Sequence, residues 1–114
     1  MLIQNLSRQT ILVSEARLAD TAFSRLKGLL GRTALRSSEG LVITHCRSIH
    51  MFFMRFAIDV VFADRNLRVV GLATEIRPFR ISSYFFRSFY AIEVPAGTIA
   101  KTATQKGDQL AFEG

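Results

Sequence analysis

The run from Ile49 to Ala63 constrains this chain more than any other stretch. It is almost entirely large and apolar, broken at His50, Arg55 and Asp59. A membrane span needs about 20 apolar residues, so the run is too short and too interrupted to cross a bilayer. It must be packed inside a fold, and a polar group buried there is costly unless it is partnered. Its second half, Ala57 to Phe62, is rich in β-branched and aromatic residues and predicts a strand. Asp64-Arg65-Asn66 supplies turn chemistry, and Leu67 to Thr74 resumes the strand pattern, which predicts an antiparallel hairpin.

The rest of the chain is read in the same terms. Thr10 to Ser14 is short and β-branched, with Leu2-Ile3 as a candidate hairpin partner. The period then changes. Phe23, Leu26, Leu29 and Leu30 recur at three- and four-residue spacing behind Asp20 or Thr21 as cap, which predicts a helix over residues 21–30 closed by Gly31. Leu41 to Thr44, Ala91 to Val94 and Gln109 to Phe112 are further strands, and residues 97–104 have room for one or two helical turns. Six or seven short strands with one clear helix predict a mainly β fold. It is a sandwich or jelly-roll, or else a barrel, with α+β as the near alternative.

A chain of 114 residues fits one domain spanning residues 1–114, because two halves would each be too small to bury a core. Apolar residues make up 49% of it, enough for such a core, and disorder of the whole chain is excluded. The single Cys46 forms no disulfide within the chain. The first residues show no apolar secretory core, and a cytoplasmic location is expected. Fifteen basic residues face nine acidic ones, for a net charge of +6, and twelve of the fifteen are arginine. A basic excess permits binding to nucleic acid, anionic lipid or an acidic protein. Here the cations are scattered along the sequence with no clustered stripe, which argues against nucleic acid.

Five residues are candidates for a site. His50 with Asp59 has the form of a base and its orienting acid. If Ala57 to Phe62 is a strand, however, Asp59 points away from Ile58, Val60 and Phe62, toward another surface or a rim. The competing reading is that Asp59 accepts backbone or Arg55 hydrogen bonds in a tight connection, with His50 a buried histidine satisfied by its own partners. Arg55 and Arg80 have forks that match carboxylate or phosphate, and each also has a structural use in pairing with an internal acid such as Glu93. No spacing matches a known zinc pattern, so no metal and no cofactor is expected. The aromatic run Tyr84 to Tyr90 either covers one end of the core or forms an exposed lip rimmed by Arg77, Arg80 and Arg87. The site is therefore read as binding a small anionic or sugar-like ligand, or a protein partner, around His50–Asp59 and Pro78–Arg80. The alternative is an enzyme using His50 with Asp59 or Glu93 as an acid–base pair.

Several short signatures occur in order. They are Gly28-Leu29-Leu30-Gly31-Arg32, Gly40-Leu41, and His50-Met51-Phe52-Phe53-Met54-Arg55-Phe56 leading into Ile58-Asp59-Val60-Val61-Phe62. Pro78-Phe79-Arg80, Glu93-Val94-Pro95-Ala96-Gly97 and Lys106-Gly107-Asp108 follow. Together they resemble the domain of unknown function 192 family of small prokaryotic proteins, from about Leu12 to Phe112. The resemblance implies a mainly β fold of jelly-roll or sandwich type with one or two short helices. It implies no reaction, substrate or cofactor. Two departures stand out: Ala57 occupies a position where relatives usually carry proline, and Phe79 one where tryptophan is more usual.

Overall fold

The computed structural model describes residues 1–19, 35–49, 51 and 56–114. The predicted helix over 21–30 lies outside the described residues. Eight strands and one helix are present among them: β1 (Leu2–Asn5), β2 (Thr10–Val13), β3 (Glu15–Ala19), β4 (Glu39–Thr44), β5 (Ile58–Ala63), β6 (Val69–Ile76), β7 (Tyr90–Pro95), α1 (Thr98–Thr102) and β8 (Leu110–Glu113). They form a three-stranded sheet in the order β2-β1-β8 and a five-stranded sheet in the order β3-β4-β7-β5-β6. The larger sheet is open at β3 and β6, so the sandwich expectation holds and the barrel alternative does not.

The predicted hairpins form. β1 pairs with β2, and β5 with β6, both antiparallel. The second begins later than expected, at Val69 instead of Leu67, because the Asp64 carboxylate accepts the N–H groups of Asn66 and Arg68 and lengthens the turn. β3 was not anticipated. Glu15-Ala16-Arg17-Leu18-Ala19 is composed of good helix formers, yet it runs parallel to β4 at the sheet edge. Two small side chains on it, Ala16 and Ala19, are buried, so backbone pairing and not composition holds it there.

The central strands of the larger sheet, β4, β7 and β5, are buried on both faces. One face meets the three-stranded sheet and α1 across a cluster that includes Ile3, Val13, Val61, Ile92, Val94 and Ile99. The other carries Ile43, Met51, Ile58, Val60, Phe62 and Ala91, with Phe85 and Phe56 packed on them. All six residues of β5 are consequently buried. This corrects the expectation that Asp59 sits at a surface or rim. Alternation does turn it away from Ile58 and Val60, but toward the second core layer and not toward water.

Candidate anion-binding cleft

The sequence-predicted site does not assemble as one constellation. Asp59, 1% exposed, faces α1 and the layer between the sheets. Its Oδ2 accepts the N–H groups of Gly97 (3.1 Å) and Ile99 (2.9 Å), and its Oδ1 accepts that of Glu75 (2.8 Å). Two of these bonds cap α1 from another strand, since the N-cap residue Gly97 has no side chain to do so. The third closes a bulge. Ile58 pairs with Ile76 and Val60 with Ala73, so Thr74 and Glu75 stand opposite Asp59 alone, with Glu75 held at φ +48°.

Glu93 occupies the opposite face of the same sheet. It pairs with Leu41 on one side and Val60 on the other, both members of the second apolar cluster. It is 5% exposed, and among the described residues its Oε1 has no hydrogen-bond partner. Burial alone pushes its pKa up to about 8. Asp59 and Glu93 are thus not interchangeable partners for one histidine. His50 and Arg55 lie outside the described residues. Arg80 is exposed on the connection after β6, and the anticipated ion pair between Arg80 and Glu93 is absent. Arg80 works through its backbone instead: its carbonyl accepts the Met51 N–H (2.7 Å), beside a Phe79 N–H bond to the Met51 carbonyl (2.7 Å).

A different group of residues does converge. Thr44 at the end of β4 pairs with Tyr90 at the start of β7, and Tyr90 pairs in turn with Ala63 at the end of β5. The loops that leave these three strands therefore meet at one end of the sheet. His45 and Arg47 come from the first, Arg65 from the second, and the segment Tyr84 to Phe89 from the third. They line a cleft of about 500 Å³ containing Arg47, Arg65, Arg87, His45 and the rings of Tyr84, Phe86 and Phe89. No aspartate or glutamate is among the described residues that line it. None of the three arginines is ion-paired among the described residues either.

The cleft is held in shape. Phe85 donates its N–H to Arg47 O (2.8 Å) and Phe89 to Ala63 O (2.8 Å), while Cys46 donates to Phe89 O (3.1 Å). The segment alternates: Phe85 turns inward onto Phe62, with ring centres 4.6 Å apart, and leaves Tyr84 and Phe86 outside at 64% and 69% exposure. Gly71 makes room for this, since a Cβ there would collide with the edge of the Phe85 ring. The Arg65 guanidinium lies 4.1 Å over the Phe89 ring, and His45 packs 4.5 Å from the same ring. That stacking restrains Arg65 and leaves its fork unpaired. The aromatic run thus serves both anticipated purposes, one ring in the core and others at the surface. Of the arginines expected to rim it, Arg87 lines the cleft, whereas Arg47 and Arg65 were missed because they are distant from it in sequence.

The chain matches the profile of domain of unknown function 192 (DUF192), described as uncharacterized ACR, over residues 3–112. It belongs to this family. It is 34% identical over 112 residues to a UPF0127 protein of Pyrococcus horikoshii, covering 96% of each chain. It is 33% identical over 113 residues to a UPF0127 protein of Thermococcus sibiricus, covering 96% of this chain and 73% of that one. A solved structure of a protein of unknown function from Novosphingobium aromaticivorans superposes with a TM-score of 0.82 at 20% identity, over 97% of this chain and 82% of the other.

Several positions that carried the resemblance to DUF192 act as fasteners in this structure. Pro78-Phe79-Arg80 ties the connection after β6 to Met51. Gly97 N–H bonds to Asp59, linking the Glu93 to Gly97 signature to β5. In Lys106-Gly107-Asp108, the Asp108 carboxylate accepts bonds from Asn5 Nδ2 (2.9 Å), the Gln105 N–H (2.9 Å) and Arg8 Nε (3.1 Å). Burial works to raise the Asp108 pKa, but the Asn5 and Gln105 hydrogen bonds and the Arg8 bond and charge outweigh it and hold it below the usual range. Among the described residues no helix is long and apolar enough to cross a membrane, and no three His, Cys, Asp or Glu side chains group as a metal site.

Proposed function

We propose that this DUF192 protein is a binding domain for an anionic ligand, seated in the cleft between the His45–Arg47 loop, Arg65 and the Tyr84–Phe89 segment. The observation that carries this reading is a concave surface with three unpaired guanidinium groups and no carboxylate among the described residues lining it. Guanidinium forks match carboxylate or phosphate oxygens bidentately, and a field of one sign in a cleft concentrates the counter-ion. The reading moves the site away from Asp59, whose carboxylate is occupied by three backbone N–H groups, and from Glu93, which is enclosed in apolar side chains. A neutral sugar has less claim on such a cleft than an anion of any kind. The cytoplasm is the compartment proposed for this role.

The test is a thermal-shift titration with triphosphate, citrate and a neutral disaccharide against the wild type and an Arg47→Ala/Arg65→Ala double variant. Ligand at a hundred times Kd adds about 2.7 kcal/mol, a shift of roughly 10 °C for a domain of this size. The anions are expected to raise the wild-type Tm, and the double variant to lose most of that rise. Equal shifts in both proteins, or a response to the disaccharide alone, would remove the cleft from consideration.

A further inference from the structure

We infer that the anion taken by this cleft is a single-stranded nucleic acid, whose bases stack on Tyr84 and Phe86. The inference rests on the anion-binding reading and extends it to a polymer. A second cleft, of about 540 Å³, lies on the other side of the same segment and shares Tyr84, Phe86 and Arg87 with the first. Arg68 and Lys106 add two further cations to it. Its one acid among the described residues, Asp64, accepts the Asn66 and Arg68 N–H groups through Oδ1. A small anion needs one basic cleft. Two of them astride a ridge of exposed rings match a chain that alternates anionic linkers with planar groups.

The arginines and lysine that look scattered along the sequence are gathered here from four separate loops. The reason for disfavouring nucleic acid, the lack of a clustered footprint, does not hold in space. The rings also point to unpaired bases. Stacking on aromatic side chains needs free π-faces, which a duplex keeps to itself, whereas a positive groove with aromatic platforms suits a single strand. An acidic peptide fits less well. A peptide commonly docks by backbone pairing, and the Phe85, Ser88 and Phe89 N–H groups of the ridge are already committed to Arg47, Phe85 and Ala63 carbonyls. What the ridge offers is side chains: guanidinium groups, and the exposed rings of Tyr84 and Phe86, the latter with Arg87 5.6 Å over one face.

The experiment is fluorescence anisotropy with a labelled single-stranded oligonucleotide of about 12 nucleotides. The matching duplex, inorganic triphosphate and polyglutamate are the comparison ligands. Single strand is expected to bind more tightly than duplex, with log Kobs falling against log salt at a slope of about −3.5 if all five cations contact phosphate. Tyr84→Ala and Phe86→Ala are each expected to weaken the oligonucleotide by about tenfold, and triphosphate by clearly less. Both side chains are exposed, so neither change threatens the fold. Duplex bound as tightly as single strand, or no effect of Phe86→Ala, overturns the inference. Triphosphate binding without oligonucleotide binding overturns it while the anion-binding reading stands. Polyglutamate bound in place of the oligonucleotide overturns it in favour of an acidic protein. Failure of triphosphate, oligonucleotide and polyglutamate alike removes both readings.

Discussion

Glu93 provides the sharpest test of how this fold is held, because its behaviour follows from position alone. Burial raises its pKa from 4.5 to about 8, while in the unfolded chain the carboxyl returns to its ordinary value. Below pH 4.5 the group is protonated in both states and costs nothing by linkage. Between the two values the unfolded chain has lost the proton and the folded protein retains it, so stability falls by about 1.4 kcal/mol per pH unit. It is flat again above the folded pKa. The accumulated loss is about 5 kcal/mol in full and about 3 kcal/mol at pH 7, against a total of about 5–15 kcal/mol for a domain. Glu93→Gln keeps the shape and removes the titration. Its stability relative to wild type is expected to be near zero around pH 4.5 and to grow with pH until it levels off near 8. Glu93→Leu should trace the same rise and remove the unpartnered oxygen as well. Urea unfolding across that range at constant ionic strength measures both, with an unchanged m-value required for the comparison. Parallel stability curves for wild type and Glu93→Gln would refute the reasoning. They would mean that the native carboxyl is ionised at neutral pH and is served by a group able to hold its charge.

Two further perturbations address the fasteners. Asp59→Asn replaces a buried anionic acceptor of three backbone N–H groups with an amide that must turn a donor toward at least one of them; the expected loss is roughly 2–4 kcal/mol by urea unfolding, with triphosphate affinity retained. Unchanged stability accompanied by lost anion binding would return Asp59 to the site. Gly71→Ala places a methyl where the Phe85 ring lies, and should cost about 1–3 kcal/mol while loosening the Tyr84–Phe86 ridge. Combined with Phe85→Ala, it should cost less than the sum of the two single changes; strictly additive costs would show that the ring and the glycine are not coupled.

The parts of the fold that were legible in the sequence are those where side chains alone decide the local structure. Thr10 to Val13, Ile58 to Ala63 and Ala91 to Val94 are rich in β-branched residues, so pleated packing is their natural use, and the turn between β5 and β6 carries Asp64 and Asn66. β3 was illegible because what makes it a strand is the neighbouring β4, reached through the backbone and not through its own residues. The location of Asp59 failed for a related reason. Alternation within a strand says which residues share a face, but not whether the opposite face is wet. That depends on the second sheet and α1, which come from the two ends of the chain.

The same distinction decides where function could be read. Arg47, Arg65 and Arg87 lie beside turns, where a cation is ordinarily a solvated surface residue, and nothing in the local pattern distinguishes them from Arg36 or Arg77. Their convergence is a product of strand order. With β7 between β4 and β5 and antiparallel to both, the loops after β4 and β5 must meet the loop before β7 at one end of the sheet. Had β7 been placed at the sheet edge, the same residues would have been dispersed. A signal was nonetheless present. The segment before β7 carries Tyr84, Phe85 and Phe86 in succession, and a core-facing position for one of them forces its neighbours outward. Two large rings required to face solvent beside an arginine are an expensive arrangement for stability alone, since both would gain from burial. The buried Asn5, Asp59 and Asp108 side chains account for how the fold is fastened, and the exposed rings at its end mark where the proposed ligand would be met.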